Sequence, residues 1–275
     1  MAISIAVLQM TAGIDPAQNA ATIVSAAERS ACEGAAMLFT PEMSGLLDRD
    51  RKRAALHIVD ESANPVLTVT REAAARHGLW IALGSLAVAR SDGRWANRSL
   101  LVAPDGAIAA RYDKIHMFDV DLASGESWRE SNAYAPGEDV IVAETPLGRL
   151  GLTVCYDIRF PALFEELGRL GCDAIAIPAA FTVPTGKAHW HLLQRARAVE
   201  ASAWVVAAAQ TGRHADGRET FGHSLVVDPW GEVVLDMGSE AGLAFATIDR
   251  ARTAEVRAQL PSLANRREIP RSAGT

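Results

Sequence analysis

Apolar and polar positions along the chain follow two alternating patterns, one typical of buried strands and one typical of amphipathic helices. The predicted strands span residues 3–9, 36–40, 79–89, 173–178, 203–209 and 243–248, with a strand-rich stretch at 97–112 and a pair of strands around 228–231. The predicted helices span residues 17–33, 64–77, 160–171 and 187–201, and a last helix begins at 250. Strands that alternate with helices and hairpins predict an α/β fold, in which helices cover a mixed sheet.

Length and composition favour one compact unit. The chain has 275 residues, of which 49% are hydrophobic, and this is enough to bury one large core. We therefore expect a single domain over residues 1–275. The C-terminal stretch from about residue 261 has few apolar positions, so it is expected to form an extended arm.

Charge and cysteine usage exclude several classes of protein. The net charge is −6 and no basic stripe is present, so we expect neither nucleic acid nor an anionic membrane surface as a partner. No apolar run approaches the roughly 18 residues that span a bilayer, and the first ten residues are typical of a strand rather than a basic leader. Three widely separated cysteines suit a reducing compartment, and we expect a cytoplasmic protein.

Cys155 lies in the segment "GLTVCYDIRFP", between a predicted strand at 151–154 and a helix that begins with Pro161. A strand-to-helix turn holds a side chain out at the edge of a sheet and directs free backbone N–H groups toward it. This position suits a nucleophile. The alternative is a buried cysteine that acts as a small apolar residue.

Two further residues carry chemistry that a thiol nucleophile needs. Glu42 follows an apolar strand that ends at Pro41, although it could equally be a surface or helix-entry carboxylate. Lys114 is one of only three lysines among 27 cationic residues, which indicates a need for a compact ammonium group; the alternative is a solvated charge. A thiol is mostly protonated at neutral pH, so Glu42 could act as its base. Lys114 and the backbone N–H of Tyr156 could stabilise the resulting oxyanion.

These three residues also indicate a family. Glu42 in "TPEMSG", Lys114 in "YDKIHMFD" and Cys155 in "GLTVCYDIRFP" resemble, in order and spacing, the Glu-Lys-Cys triad of the nitrilase superfamily, the carbon-nitrogen hydrolases. The similarity extends from "IAVLQM" at 5–10 to "FGHSLVVDPWGEVV" at 221–234. It implies a four-layer α-β-β-α sandwich, a general base at Glu42, an oxyanion stabiliser at Lys114, and a nucleophile at Cys155 that becomes a thioester. A homodimer or higher homo-oligomer is also implied.

The resemblance extends to other residues of the site. It implies a second catalytic glutamate, which matches Glu130 in "WRESNAYAPG", with Glu126 as a weaker candidate and an ordinary loop carboxylate as the alternative. It also implies that Arg159 binds a substrate carboxylate through two hydrogen bonds. The alternative for Arg159 is an ion pair at the helix start with Glu165 or Glu166.

The second half of the chain, residues 177–214, is similar to the amidases that hydrolyse deaminated glutathione. This implies a small carboxylated amide as substrate, with 2-oxoglutarate and cysteinylglycine as products. At His191 this chain differs from the eukaryotic enzymes, which have a glutamate there.

Phe181 and Thr182 follow a strand and are candidate pocket walls, although Phe181 could equally be a core aromatic. An ω-amidase acting on 2-oxoglutaramate, an N-carbamoyl amino acid hydrolase, a nitrilase and a catalytically silent binding protein stay open as alternatives.

Metal and nucleotide cofactors are not expected. His189 and His191 are two positions apart on a predicted helix and therefore on different faces, whereas a helical zinc pair needs a spacing of three or four. His116, His214 and His223 have no cysteine or carboxylate at ligand spacing. We therefore expect a metal-free site, and the absence of a phosphate-binding glycine motif predicts no nucleotide cofactor.

Overall fold

The computed structural model describes residues 2–121, 123, 125 and 127–270. The α-helices, α1 to α6, are Pro16–Cys32, Arg51–Ala54, Pro65–His77, Pro161–Arg169, Val183–Ala201 and Arg250–Gln259. The strands β1 to β8 are Ala2–Gln9, Met37–Phe39, Trp80–Ala89, Trp95–Val102, Ile108–Asp113, Asp119–Asp121, Ser127–Arg129 and Val142–Thr145. The strands β9 to β16 are Gly148–Leu152, Ala174–Ala176, Trp204–Ala207, Thr211–Arg213, Glu219–Phe221, Leu225–Val227, Val233–Asp236 and Gly242–Asp249.

Most of these strands belong to two sheets. In the described part of the chain, the first sheet has the order β16-β1-β2-β3-β4-β5 and the second the order β15-β14-β11-β10-β9-β8. The centres of both sheets are parallel: β2 lies between β1 and β3, and β10 lies between β9 and β11. Antiparallel strands complete the edges of both sheets. Both sheets are therefore mixed, as the sequence predicts.

Side chains that alternate along β1 define the layers. Ile5 and Val7 belong to a buried cluster that also contains Leu150 and Ile175 of the second sheet. The intervening residues belong to a second cluster, in which Leu8 packs with Ile23 of α1 and with side chains of α3. One face of the first sheet thus packs on the other sheet and its opposite face packs on helices. The first cluster also includes buried side chains of α4 and α5, so the four-layer α-β-β-α sandwich is confirmed.

Among the element boundaries that differ from the sequence prediction, two lie beside the predicted site residues. Helix α5 begins at Val183 rather than at 187, because Pro184 fits the first turn of a helix, where no backbone donor is needed. The strand before Cys155 is β9, which ends at Leu152 rather than at 154, because its neighbour β10 ends opposite Leu152. Cys155 then lies at the start of a short 3-10 helix, Cys155–Arg159.

The last described segment, 261–270, contains no helix or strand and is mostly exposed. It lies against α4: Arg266 donates a hydrogen bond to the carbonyl of Glu165 at 2.9 Å. Among the described residues, no helix is both long enough and apolar enough to cross a bilayer.

Candidate active site

The residues that the sequence singles out meet at the carboxyl ends of the strands. Glu42 follows β2, Lys114 directly follows β5, and Cys155 follows β9. They line a cavity of about 890 Å³. The predicted residues that line this cavity are Glu42, Lys114, Glu130, Cys155, Tyr156, Arg159, Phe181 and Thr182. Glu126 lies outside the described residues.

The backbone around Glu42 is held against β3. The N–H of Met43 donates to Ser85 Oγ at 2.8 Å. A glycine is required nearby, because a Cβ on Gly84 would lie 2.0 Å from the carbonyl oxygen of Thr40. The side-chain amide of Gln210 donates to the Glu42 carbonyl at 2.9 Å. Contacts from two separate segments therefore position this carboxylate.

Cys155 has a left-handed backbone, with φ of +49°. Such a conformation is uncommon for a residue with a side chain and is often found at functional sites. The N–H of Cys155 donates to the carbonyl of Pro178 at 2.8 Å, and the N–H of Val154 donates to Asp157 Oδ2 at 2.9 Å. These hydrogen bonds hold the turn in its strained form.

Asp157 also connects this turn to the strand end that carries Lys114. Its buried carboxylate accepts hydrogen bonds from the Tyr112 hydroxyl at 2.7 Å and from the His116 N–H at 3.0 Å. Burial and the adjacent Asp157 raise the pKa of Tyr112, so its hydroxyl remains a donor. The nucleophile segment and the Lys114 segment are thereby joined through one side chain.

Lys114 and the two glutamates form a compact buried group. Lys114 Nζ lies 3.0 Å from Glu42 Oε1, 2.8 Å from Glu130 Oε2 and 3.1 Å from Glu130 Oε1. Burial alone would lower the pKa of Lys114, but the charges of Glu130 and Glu42 outweigh it and hold that pKa well above the usual value. The ammonium therefore stays charged.

Neutral donors add further hydrogen bonds to the carboxylate oxygens of Glu42 and Glu130. Asn97 Nδ2 donates to Glu42 Oε1 at 2.9 Å and to Glu130 Oε1 at 3.1 Å. The backbone N–H of Ala180 donates to Glu42 Oε2 at 2.9 Å, and that of Phe118 donates to Glu130 Oε2 at 2.7 Å. With one cation between two carboxylates, these donors stabilise the extra negative charge.

Burial and the carboxylate of Glu42 raise the pKa of the Cys155 thiol well above its usual value, although Lys114 opposes this. The resting sulfur is therefore protonated, and the nearby charge of Glu42 favours this neutral form. An arrangement of a neutral thiol, a carboxylate acceptor and a fixed ammonium can generate a thiolate as it attacks an electrophilic carbon.

The candidate substrate-binding residues line the same cavity. The guanidinium carbon of Arg159 lies 5.3 Å from the centre of the Phe181 ring and 5.8 Å from that of Tyr156. Arg159 Nη1 lies 3.3 Å from His189 Nδ1. The alternative ion pairs suggested for Arg159 are not formed in the described residues: Glu165 pairs with Arg266, and Glu166 pairs with Arg169.

Phe181 and Thr182 also line the cavity. Phe181 is buried and packs on Trp190 with ring centres 4.8 Å apart, so it is both a core aromatic and a cavity residue. Thr182 caps the start of α5, and its hydroxyl lies 2.8 Å from that of Thr185.

Two residues of the site were not predicted from the sequence, namely Asn97 and Asp157. Asn97 is a buried amide within the apolar strand β4, and an unexplained polar residue in such a strand is the signal that could have found it. Asp157 follows the nucleophile by two positions, where a short acidic side chain can accept from the backbone of its own turn.

Comparisons with known proteins show which family the chain is similar to. The family model for carbon-nitrogen hydrolases matches residues 4–258. The deaminated glutathione amidase of Yersinia enterocolitica is 40% identical over 97% of this chain and 93% of its own length. The structure of the Caenorhabditis elegans NitFhit protein superposes with a TM-score of 0.90 and is 35% identical over 97% of this chain and 65% of that one.

A third similar protein is an amidase from Nesterenkonia sp. AN1, with a TM-score of 0.77 and 26% identity over 94% of this chain and 98% of that one. Its structure shows acrylamide added to the active-site cysteine. A family model that matches nearly the whole chain and relatives at 40% identity show the same thing: this chain belongs to the carbon-nitrogen hydrolase family.

Proposed function

We propose that this hydrolase is a thiol amidase that cleaves the C–N bond of deaminated glutathione through a thioester on Cys155. The observation that supports it most directly is the convergence of Cys155, Glu42 and Lys114 in one cavity. Family membership supports amide hydrolysis, and the name of the Yersinia relative supports the substrate.

The first half of the reaction forms the thioester. Cys155 Sγ attacks the amide carbon while its proton moves to Glu42. The carbonyl oxygen becomes an oxyanion, which the ammonium of Lys114 and the backbone N–H of Tyr156 stabilise. When the intermediate collapses, the C–N bond breaks and the departing amine takes the proton from Glu42.

The second half releases the acid. A water molecule loses a proton to Glu42 and attacks the thioester carbon, and the same two donors hold the second oxyanion. The C–S bond then breaks, and the proton on Glu42 returns to the Cys155 sulfur. Throughout, Glu130 keeps the Lys114 ammonium in place through contacts of 2.8 and 3.1 Å.

The surroundings of Arg159 support the proposal that the substrate carries a carboxylate. Within the described part of the chain, its only side-chain hydrogen-bond partner is His189, and two aromatic rings fix its guanidinium at the cavity wall. A guanidinium that lacks a protein carboxylate can bind a substrate carboxylate through two hydrogen bonds. The 2-oxo acid end of deaminated glutathione supplies such a group.

The direct test is turnover of four compounds by purified protein: deaminated glutathione, 2-oxoglutaramate, an N-carbamoyl amino acid and a simple nitrile. We expect the highest kcat/KM for deaminated glutathione, with 2-oxoglutarate and cysteinylglycine released. A preference for 2-oxoglutaramate would identify an ω-amidase instead, and a dominant nitrile activity would contradict the amidase assignment.

The role of the thiol has its own matched test. We expect Cys155→Ala to abolish turnover and Cys32→Ser, which changes an exposed thiol, to leave it unchanged. Intact-mass spectrometry during turnover should detect an acyl adduct on the parent and none on Cys155→Ala. A parent that shows neither turnover nor adduct with any of the four compounds would favour a silent binding protein.

We further propose a cytoplasmic homodimer. The free thiols of Cys32, Cys155 and Cys172 suit a reducing compartment. Exposed apolar side chains occur on α5, on β15 and on the turn between β14 and β15: Leu192, Val199, Trp230 and Val234. Arg195 of α5 donates to the Gly231 carbonyl at 2.7 Å and holds that turn against the helix. Such a surface suits a second copy of the chain.

Light scattering after gel filtration tests the homodimer. We expect a mass of about twice the 29.3 kDa of one chain. Leu192→Glu, which places a charge on the surface, should give monomers, whereas Arg213→Glu, on the exposed β12 ribbon, should not. A parent that elutes as a monomer would contradict the proposal.

A further inference from the structure

Three metal-ligating side chains converge outside the active site. His191 lies on α5, His223 lies between β13 and β14, and Asp236 is the last residue of β15. His191 Nε2 and His223 Nδ1 each lie 2.9 Å from a different oxygen of Asp236. The ligand atoms of all three lie within 4.8 Å of one another. Their separation along the chain explains why sequence spacing gave no sign of this cluster.

The imidazole of His223 is fixed from several directions. The backbone of His223 is left-handed, with φ of +55°, and its N–H donates to the carbonyl of Gly238 at 2.7 Å. Its own carbonyl accepts a hydrogen bond from Nε1 of the buried Trp190 at 2.6 Å. Its ring stacks on Phe221 with centres 4.5 Å apart. Such a strained and over-determined conformation is the kind found at binding sites.

Asp236 supplies the anionic ligand. Its Oδ1 also accepts a hydrogen bond from the Gly238 N–H at 2.9 Å, which helps to hold the carboxylate in place. The side chains of the cluster are 27 to 41% exposed, so an ion from solvent can reach them. A water molecule can then complete the coordination.

We propose that His191, His223 and Asp236 form a binding site for a divalent transition metal of the Zn²⁺ type. Two imidazole nitrogens and one carboxylate oxygen suit Zn²⁺, Ni²⁺ or Cu²⁺ far better than Mg²⁺ or Ca²⁺, which prefer oxygen ligands. Tetrahedral zinc with ligand bonds of about 2.0 to 2.2 Å places its ligand atoms about 3.3 to 3.6 Å apart. The ligand atoms of the cluster, which lie within 4.8 Å of one another, are close to this spacing.

The position of the site indicates a structural role. The metal joins α5 to β15 and to the segment that follows β13. This region adjoins the cavity wall, because the N–H of Phe221 donates to the carbonyl of Phe181 at 2.9 Å. Binding to the native state alone stabilises it by mass action, so the metal is expected to raise the melting temperature.

Calorimetric titration with ZnCl₂ tests the site. The background is the full chain carrying Cys155→Ala, which removes the active-site thiol as a competing ligand. We expect one saturable Zn²⁺ per chain and a higher melting temperature. His191→Ala and Asp236→Asn should each weaken binding at least tenfold, whereas His57→Ala, which removes an exposed histidine elsewhere, should not change it.

His191→Ala is the primary variant because the His191 side chain lies on an exposed helix surface, so this variant should fold normally. Asp236→Asn keeps one oxygen acceptor for the Gly238 N–H, replaces the other oxygen by an NH2 group and removes the charge. Substitution with Co²⁺ adds a second readout, since a four-coordinate site gives an intense visible absorption that MgCl₂ cannot mimic. Absence of saturable Zn²⁺ binding, or binding that neither variant weakens, would overturn the proposal.

Discussion

Replacement of Lys114 by methionine is the sharpest test of the buried charge group. The substitution keeps an unbranched side chain of similar length and removes only the ammonium. Three contacts to carboxylate oxygens, at 2.8, 3.0 and 3.1 Å, are lost. Glu42 and Glu130 then face each other without a cation in a region from which solvent is nearly excluded.

Two effects are expected, one on stability and one on kcat. Breaking a buried ion pair by removing one partner costs about 3 to 5 kcal/mol of stability, because the remaining charge is uncompensated. Loss of one oxyanion donor lowers kcat by about 100-fold to 1,000-fold. We therefore expect Lys114→Met to unfold at a lower urea concentration than the parent. Its kcat on deaminated glutathione should be at least 100-fold lower. Lys114→Arg should also lose rate with the fold intact, because a planar guanidinium cannot occupy the place of an ammonium.

A second substitution separates the two effects. Glu130→Gln added to Lys114→Met removes one of the facing charges and keeps an acceptor for the Phe118 N–H. The double variant should recover much of the lost stability in urea unfolding followed by circular dichroism, and its kcat should stay low. Parental kcat in Lys114→Met, or recovery of both properties in the double variant, would refute the assigned role of the ammonium.

Three further predictions follow from the same site. Asn97→Ala removes the amide that donates to both Glu42 and Glu130, so stopped-flow or steady-state assays should show kcat lowered tenfold or more, with Asn97→Gln also impaired. Arg159→Gln should raise KM for a carboxylated amide at least tenfold with a smaller change in kcat, measured by saturation kinetics. The pKa of Cys155 is raised above the usual value of 9.0 in the native state, so the unfolded state releases the thiol proton at lower pH than the native state does. The free energy of unfolding should therefore fall as pH rises. From pH 9 to 10, urea unfolding should show the parent losing about 1 kcal/mol more than Cys155→Ala.

The sequence predicted the parts of the fold that depend on local pattern. The apolar runs of β1 and β3 and the amphipathic spacing of α1 and α3 determine those elements almost residue by residue. The site residues could be predicted for the same reason, because Glu42, Lys114 and Cys155 each follow a strand that the apolar pattern indicates. Parallel strands bring their carboxyl ends to one edge of a sheet, and the packing of the two sheets then brings Cys155 of the second sheet to Glu42 and Lys114 of the first.

What the sequence could not predict depends on partners that are distant in the chain. Asn97 is important because its amide reaches two glutamates that lie 55 and 33 positions away. His191 and Asp236 are 45 positions apart and meet only because β15 lies at the edge of the sheet beside α5. Periodicity carries no information on such contacts, and they emerge only from tertiary packing.

In the proposed mechanism, the two carboxylates around Lys114 have different tasks, and charge balance explains why both are needed. When the thiol proton moves to Glu42, the negative charge passes from that carboxylate to the sulfur and then to the substrate oxygen, so the total charge of the buried group does not change. Glu42 loses its hold on the ammonium at that moment. Glu130, which contacts Nζ through both oxygens, is then the only one of the two carboxylates that still fixes it. A site with a single carboxylate would release its oxyanion donor just as the oxyanion forms.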